Sequence, residues 1–200
     1  MSNHESTLPP DGVDAFPTAE DRFFDAPGFR NTWASEWERA HDWYHYVNGY
    51  KDAADMLLEN RRAAGRAAHR LGPPIVFLYR HHLELAVKQL LRECGTRLGR
   101  DVVLPMHHRL DELWRFCLSM LAEVSPGITA AEEVAQTTRL FDELCRVDPT
   151  SQAFRYPEDH QGNPSLSGVG EIELERIHDV VEKISLLLDC ISTELSTLEG

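Results

Sequence analysis

The 200-residue chain is 42% hydrophobic and 26% charged, and its formal net charge is −13 at pH 7. That length suits one domain with a sizeable core, and the acidic balance argues against a protein that coats nucleic acid through its overall charge, without excluding a local basic site. No apolar run approaches the length of a membrane-spanning helix and the N-terminus has no basic-then-apolar signal, so the sequence predicts a cytoplasmic protein with no membrane partner.

The first segment, residues 1–31, is acidic and is interrupted by four prolines, a composition that predicts an irregular N-terminal arm. The domain itself is expected to span residues 32–200, and its first helix to begin near Trp33. This helix has a broad aromatic stripe, which is typical of a core or a subunit interface, so we expect a homodimer. The pair Asn48 and Gly49 is a point at which this helix kinks or ends.

The next helical segment, Tyr50–Leu71, contains the main basic group of the chain. Arg62, Arg66 and Arg70 recur at four-residue spacing, so they share one face of a helix. Such a row can bind RNA phosphates, and it is also typical of a solvated face or of pairing with acidic neighbours. The spacing alone leaves both interpretations open.

The segment Pro73–Cys94 is predicted to be the central helix of the fold. It opens with two prolines, which suit the first turn of a helix, and its apolar residues surround nearly the whole helix axis, as in helices that are buried on several sides. The charged residues Arg80, Glu84 and Lys88 follow one line at four-residue spacing. That line predicts either a ladder of ion pairs or the wall of a functional site.

Three more helical patterns follow. The first runs from His107 or His108 to about Val124, the second is capped by Thr129 and ends near Val147, and the third is Glu171–Leu198. A long loop, Asp148–Gly170, separates the second from the third. No segment has the alternation that is typical of a strand. The sequence therefore predicts an all-α, mainly antiparallel helical bundle of five or six helices with an irregular N-terminal arm. Long loops of this kind are often functional.

Neither a metal nor a cofactor is predicted. His41 and His45 lie at i and i+4 on one helix, but no further ligand pattern accompanies them, and the chain has no Gly-rich phosphate loop. The four cysteines are widely spaced among apolar residues, which predicts buried thiols: Cys94, Cys117, Cys145 and Cys190.

Three short segments occur in an order that resembles one known family. LELAVKQLLRECG, at Leu83–Gly95, has the acidic, apolar, lysine and glycine positions of that family's second helix. HRLDELW, at His108–Trp114, resembles the His-x-Leu-x-x-Leu start of its third helix, displaced by one residue. FRYPEDH, at Phe154–His160, resembles its Arg-Tyr-Pro segment and Arg-x4–6-His motif. The family is the HEPN domains of prokaryotes, and the resemblance covers roughly Pro73 to the C-terminus.

The resemblance implies a module that binds RNA or protein in a defence, stress or toxin–antitoxin system, with an antitoxin or a nucleotidyltransferase as its protein partner. Many HEPN domains are metal-independent endoribonucleases, in which the motif Arg and His meet across a dimer and cleave RNA through its own 2′-hydroxyl. Carried over to this chain, Arg155 would stabilise the phosphate and His160 would be the general acid or base. A scaffold that only binds another protein is the third alternative.

The acidic pair Glu158 and Asp159 separates the two motif residues and favours a structural role for Arg155. In that interpretation the loop Asp148–His160 is an ordered corner, with Phe154 and Tyr156 packed on the core. The charged line of the central helix needs a partner, so the expected structural ion pair joins Glu84 to Arg155.

Overall fold

Six helices make up the part of the chain that the structure describes. The structure is a computed structural model, and it describes residues 42–61 and 69–197. Within these ranges there is no strand, only an isolated bridge between Glu158 and Pro164. The helices are α1 (Trp43–Asn60), α2 (Gly72–Arg97), α3 (Leu110–Val124), α4 (Pro126–Thr129), α5 (Glu132–Val147) and α6 (Leu174–Thr197). The prediction of an all-α helical bundle is confirmed.

Several predictions fall outside the described residues. The irregular arm at residues 1–31, the helix start near Trp33 and the side chains of Arg62 and Arg66 are among them. All described residues belong to one unit, Ala40–Gly200. No helix in the described ranges is both long and apolar enough to cross a membrane.

Helix α2 is the centre of the bundle, as the sequence predicts. It packs against α1, α3 and α6, and its fully buried side chains include Ile75, Tyr79 and Leu91. The helix continues through Gly95 to Arg97 because Gly95 faces a neighbouring segment rather than a turn. A Cβ there would lie 2.9 Å from the Arg100 carbonyl oxygen and would also clash with Val102.

The prediction of buried thiols holds for Cys94, Cys117 and Cys145 and is wrong for Cys190, which lies on the exposed face of α6.

Two other local predictions are wrong. Asn48 and Gly49 neither end nor divide α1: a glycine inside a helix costs only about 1 kcal/mol, and α1 is held on α2 through the buried Val47 and Ala54. Thr129 doesn't cap α5, because its hydroxyl donates to the Pro126 carbonyl within the one-turn helix α4. The residue before α5 is Ala131, which gives no side-chain cap.

His82 joins three helices at the middle of the bundle. Its Nδ1 lies 2.8 Å from the Val47 carbonyl oxygen of α1, and its Nε2 lies 2.7 Å from the Ser185 hydroxyl of α6. A carbonyl only accepts, so Nδ1 donates and Nε2 of the neutral ring accepts from Ser185. Burial lowers the pKa of His82, although the bond to Val47 acts in the opposite direction.

A buried group of charges connects α2 to the segment that precedes α3 and to the segment that follows α5. We call Arg80, Glu84 and Asp148, each 1% exposed, the buried ion group. Arg80 Nη1 lies 3.4 Å from Glu84 Oε2, and Arg80 Nε lies 3.1 Å from Asp148 Oδ2. The second contact is electrostatic only, since Asp148 Oδ2 has no hydrogen-bond partner.

The guanidinium of Arg80 also binds two backbone carbonyls. Its Nη2 donates to the His108 carbonyl at 2.9 Å and to the Asp148 carbonyl at 3.1 Å. Arg80 therefore fixes the entrance of α3 and the start of the long loop from one position on α2.

Glu84 connects the buried ion group to two residues nearer the protein surface, Lys88 and His108. Its Oε1 accepts from Lys88 Nζ at 2.8 Å and lies 2.8 Å from His108 Nδ1. Burial acts to raise the pKa of Glu84, but the hydrogen bonds from Lys88 and His108 outweigh it and lower that pKa. The ladder of Arg80, Glu84 and Lys88 that the four-residue spacing predicts is thus confirmed.

Replacing Arg80 with Met is expected to lower the free energy of unfolding by on the order of 3–5 kcal/mol, because Glu84 and Asp148 would stay buried without their cation. Urea unfolding followed by circular dichroism measures the change. Arg139→Met is the control: it breaks an exposed pair with Glu143 at the same spacing, 3.2 Å long, and should have little effect. Equal losses in the two variants would refute the prediction.

The free energy of unfolding should decrease as the pH is lowered, and part of this decrease should come from His82. The folded pKa of His82 is below the ordinary value of 6.5, so the unfolded chain takes up a proton first. Stability is then full above about pH 6.5 and declines below it, by at most about 1.4 kcal/mol per pH unit for one group. His82→Gln should flatten this decline, whereas His45→Gln, at an exposed position, should not. An unchanged slope in His82→Gln would count against the prediction.

Candidate functional site

The long loop after α5 starts as a rigid corner. Asp148 Oδ1 accepts from the Gln152 amide at 2.8 Å and the Ala153 amide at 3.0 Å. Ser151 is buried and has a left-handed backbone with φ of 63°, and the Phe154 side chain is buried in the core. The corner is ordered as the sequence predicts, and it delivers Arg155 to the surface directly after Phe154.

The tip of the loop is closed by Asp159. Its carboxylate accepts from the amides of Asn163 and Gln161, at 2.9 Å and 2.8 Å. The hydrogen bonds from Asn163, followed by that from Gln161, lower the pKa of Asp159. His160 is exposed beside it. Asp159 is therefore occupied in shaping the loop, and it forms no ion pair with Arg155.

The expected ion pair between Glu84 and Arg155 is wrong. Glu84 is bound by Arg80, Lys88 and His108, because two of these lie one helical turn away and reach it before any loop residue. Arg155 is exposed, and no carboxylate of the described chain lies within ion-pair distance of it.

The guanidinium of Arg155 lies against aromatic rings instead. Its Cζ is 5.5 Å from the ring centre of Phe77 and 5.3 Å from that of Tyr156. Tyr156 is 50% exposed, so the prediction that it packs on the core together with Phe154 is wrong. Arg155 Nη2 also donates to the Tyr156 hydroxyl at 3.5 Å, and the other N–H donors of this guanidinium form no hydrogen bond with the described residues.

These contacts continue across α2 to α1. Phe77 stacks on His81 with ring centres 5.8 Å apart and an angle of 13°, and the edge of Tyr50 meets His81 at 4.3 Å. We call these five side chains the planar row: Tyr50, His81, Phe77, Arg155 and Tyr156. Burial lowers the pKa of His81, so its ring is neutral at pH 7 and suits stacking.

The planar row has the chemistry that single-stranded RNA requires. Unstacked bases bind to aromatic faces and to guanidinium planes, and arginine binds phosphate through paired N–H donors. Arg70 is exposed in the turn before α2. Arg62 and Arg66 lie outside the described residues, so the basic face expected from their spacing stays a prediction.

Arg155 and His160 belong to the same ordered loop, and both are exposed. They form no hydrogen bond or ring contact with each other within the described chain. Their predicted catalytic roles need a second copy of the motif, and stay predictions.

A second polar cluster lies between α1, α2 and α6. Oxygen or nitrogen atoms of Asp55, His178 and Glu182 lie within 4.8 Å of one another, as the ligands of a metal would. Lys51 forms ion pairs with both carboxylates, at 2.8 Å for Asp55, and the Tyr79 hydroxyl donates to Asp55 at 2.6 Å. The ammonium group already provides the positive charge that the two acids need.

The hydrogen bonds of this cluster keep Asp55 charged and Tyr79 neutral. Burial acts to raise the pKa of Asp55, but the hydrogen bonds from Lys51 and Tyr79 outweigh it and lower that pKa. Burial and the bond to Asp55 raise the pKa of Tyr79 far above its usual value. The cluster is thus a set of satisfied groups that fastens α1 to α2 and α6.

Sequence reasoning missed most of the planar row. Phe77 and His81 stand at i and i+4 on α2. This spacing predicts that they share one face of the helix, but it does not predict which residues pack on that face. Their contact with Arg155 joins residues far apart in sequence, and no periodicity reports it.

Comparisons with protein-family models, with curated proteins and with solved structures give no significant match. The resemblance to HEPN domains therefore stays a prediction that depends on the three segments quoted above. The site must be interpreted from its own geometry.

Proposed function

We propose that the chain is a HEPN-like helical module that binds single-stranded RNA on the planar row. It would work as a homodimer in a prokaryotic defence, stress or toxin–antitoxin system, with an antitoxin or nucleotidyltransferase as a protein partner. One observation carries the RNA proposal: the guanidinium of Arg155 is exposed, has no acidic partner in the described chain, and lies on two aromatic rings.

Each part of the row has a separate task in this proposal. Arg155 binds a phosphate through charge-assisted hydrogen bonds, and Tyr156, which is half exposed, takes a base on its free face. Phe77, against which His81 stacks, supports the guanidinium and limits its movement. An arginine whose orientation is already fixed loses less conformational entropy when it binds.

Because the net charge is acidic, RNA is expected to bind only at the planar row and not over the rest of the protein surface. One arginine on a chain of charge −13 gives little long-range attraction for RNA, so stacking must supply much of the affinity. Salt dependence should accordingly be shallow, since each phosphate contact on a single strand contributes a slope of only about 0.7.

Arg155→Ala should weaken the binding of a short fluorescein-labelled single-stranded RNA by at least about tenfold, or about 1.4 kcal/mol. Tyr156→Ala should cost on the order of 1–3 kcal/mol, the value of one stacked base. Fluorescence anisotropy at fixed salt measures both.

The matched control is Arg92→Ala. Arg92 is also exposed and also lies over an aromatic ring, 5.5 Å from the centre of Trp43, so its removal changes the net charge and the ring contact in the same way. RNA binding that falls equally in Arg92→Ala and Arg155→Ala would contradict a site at the planar row. No RNA binding by the unaltered protein would favour the protein-binding scaffold.

A second candidate function, RNA cleavage, is favoured by the state of the motif. Both Arg155 and His160 are exposed, and the carboxylate of Asp159 is occupied by its own loop. In this proposal the Arg155 guanidinium stabilises the charge that develops on the phosphate, and His160 transfers a proton to or from the reacting oxygens. The 2′-hydroxyl of the RNA attacks the adjacent phosphorus and the 5′-oxygen leaves, with no metal required.

Cleavage of total RNA in the presence of EDTA tests this second function. The unaltered protein should shorten the RNA, and His160→Ala should abolish the activity, while His45→Ala, which removes another exposed histidine, should retain it. Cleavage that persists in His160→Ala would assign the activity to other residues. Binding without cleavage by the unaltered protein would leave the RNA-binding module as the function.

A further inference from the structure

A cleft with apolar walls lies on the bundle between α2, α5, α6 and the end of the long loop. Its volume is about 230 Å³. It forms where α5 and α6 diverge, since both pack on other helices but scarcely on each other. Its floor is made by buried residues such as Phe141 and Ile184, and its walls by half-buried ones such as Leu144, Val180 and Ile172.

The size of the cleft suits a small organic molecule. A protein cavity of about 150 Å³ holds one benzene molecule. By proportion, the 230 Å³ cleft takes an apolar body of about nine carbon atoms. It is somewhat smaller than most ligand sites, which measure about 300–1,000 Å³ and are typically apolar pockets with a few polar groups that fix the orientation of the ligand.

The charges at the cleft indicate an anionic ligand. Two charged residues line it, Glu143 and Arg176. Glu143 is paired with Arg139 at 3.2 Å. Arg176 is exposed and forms no ion pair or hydrogen bond with the described residues. Among the described residues the cation therefore has no partner and can accept an anionic ligand, whereas the anion is already paired.

We propose that this cleft binds a medium-chain carboxylate, with the alkyl chain between α5 and α6 and the carboxylate on the guanidinium of Arg176. Apolar walls remove the chain from water, and the planar guanidinium binds both carboxylate oxygens at once. The site is separate from the planar row: Arg176 is on α6, and Arg155 does not line the cleft.

Isothermal titration calorimetry of the full chain with octanoate, octanol and octylammonium tests the proposal. Octanoate should bind at one saturable site, octanol more weakly, and octylammonium most weakly, because the three share a chain and differ in the head group. Arg176→Gln should weaken octanoate binding by about tenfold and leave octanol unchanged. Arg146→Gln is the control, since Arg146 is an exposed arginine that lines a different groove.

A second variant tests the chain-binding part. Val180→Trp places a large side chain at a half-buried wall position and should remove the binding of octanoate and octanol together, with circular dichroism to confirm that the fold persists. The proposal is overturned if octanoate shows no saturable binding at millimolar concentration, or if octylammonium binds as tightly. It is also overturned if Val180→Asp converts a dimer to a monomer in sedimentation, since a second copy would then cover the cleft.

Discussion

The fold depends on a charged side chain in an apolar interior. Arg80 is the largest cost in the core, because a buried cation is tolerated only where anions and carbonyls surround it. Its partners come from the same helix, from the entrance of α3 and from the segment after α5. These three segments meet around one guanidinium, so the position of each is coupled to the others through Arg80.

The surface that we propose to bind RNA depends on the same buried charges. Asp148 faces Arg80 with one oxygen and binds the amides of Gln152 and Ala153 with the other. The loop therefore begins from a fixed point, and Arg155 appears at the surface only a few residues later. The proposed phosphate contact requires an arginine whose position is defined before the ligand arrives, and the buried ion group, the Phe154 anchor and the ring of Phe77 together define the position of Arg155.

Local features of the molecule could be predicted from the sequence, whereas contacts between distant segments could not. The helices and the ladder of Arg80, Glu84 and Lys88 follow from residue spacing, since i and i+4 neighbours always lie close on a helix. The predicted partner of Glu84, Arg155, is wrong for a related reason. Its nearest cations on α2 saturate it first, and His108 adds a third contact that only the fold reveals.

The planar row shows the same limit at the candidate site. Arg155 and His160 were identified by their place in a motif, but the rings that hold Arg155 come from α2 and the loop itself. Gly49 illustrates the opposite error, in which a strong local signal for a break is overridden by the packing of α1 on α2. Propensity and spacing predict elements, and the partners of long side chains depend on packing that no short window contains.

Amide hydrogen exchange in the Arg80→Met variant tests most directly whether the buried ion group holds the loop that carries Arg155. The amides of Gln152 and Ala153 keep their acceptor, Asp148 Oδ1, in that variant, so any loss of protection reports the loss of Arg80 itself. We predict that these two amides exchange faster than in the unaltered protein, by a larger factor than the amides in the middle of α6. If the exchange rates of the two loop amides change by the same factor as those of α6, the account is contradicted.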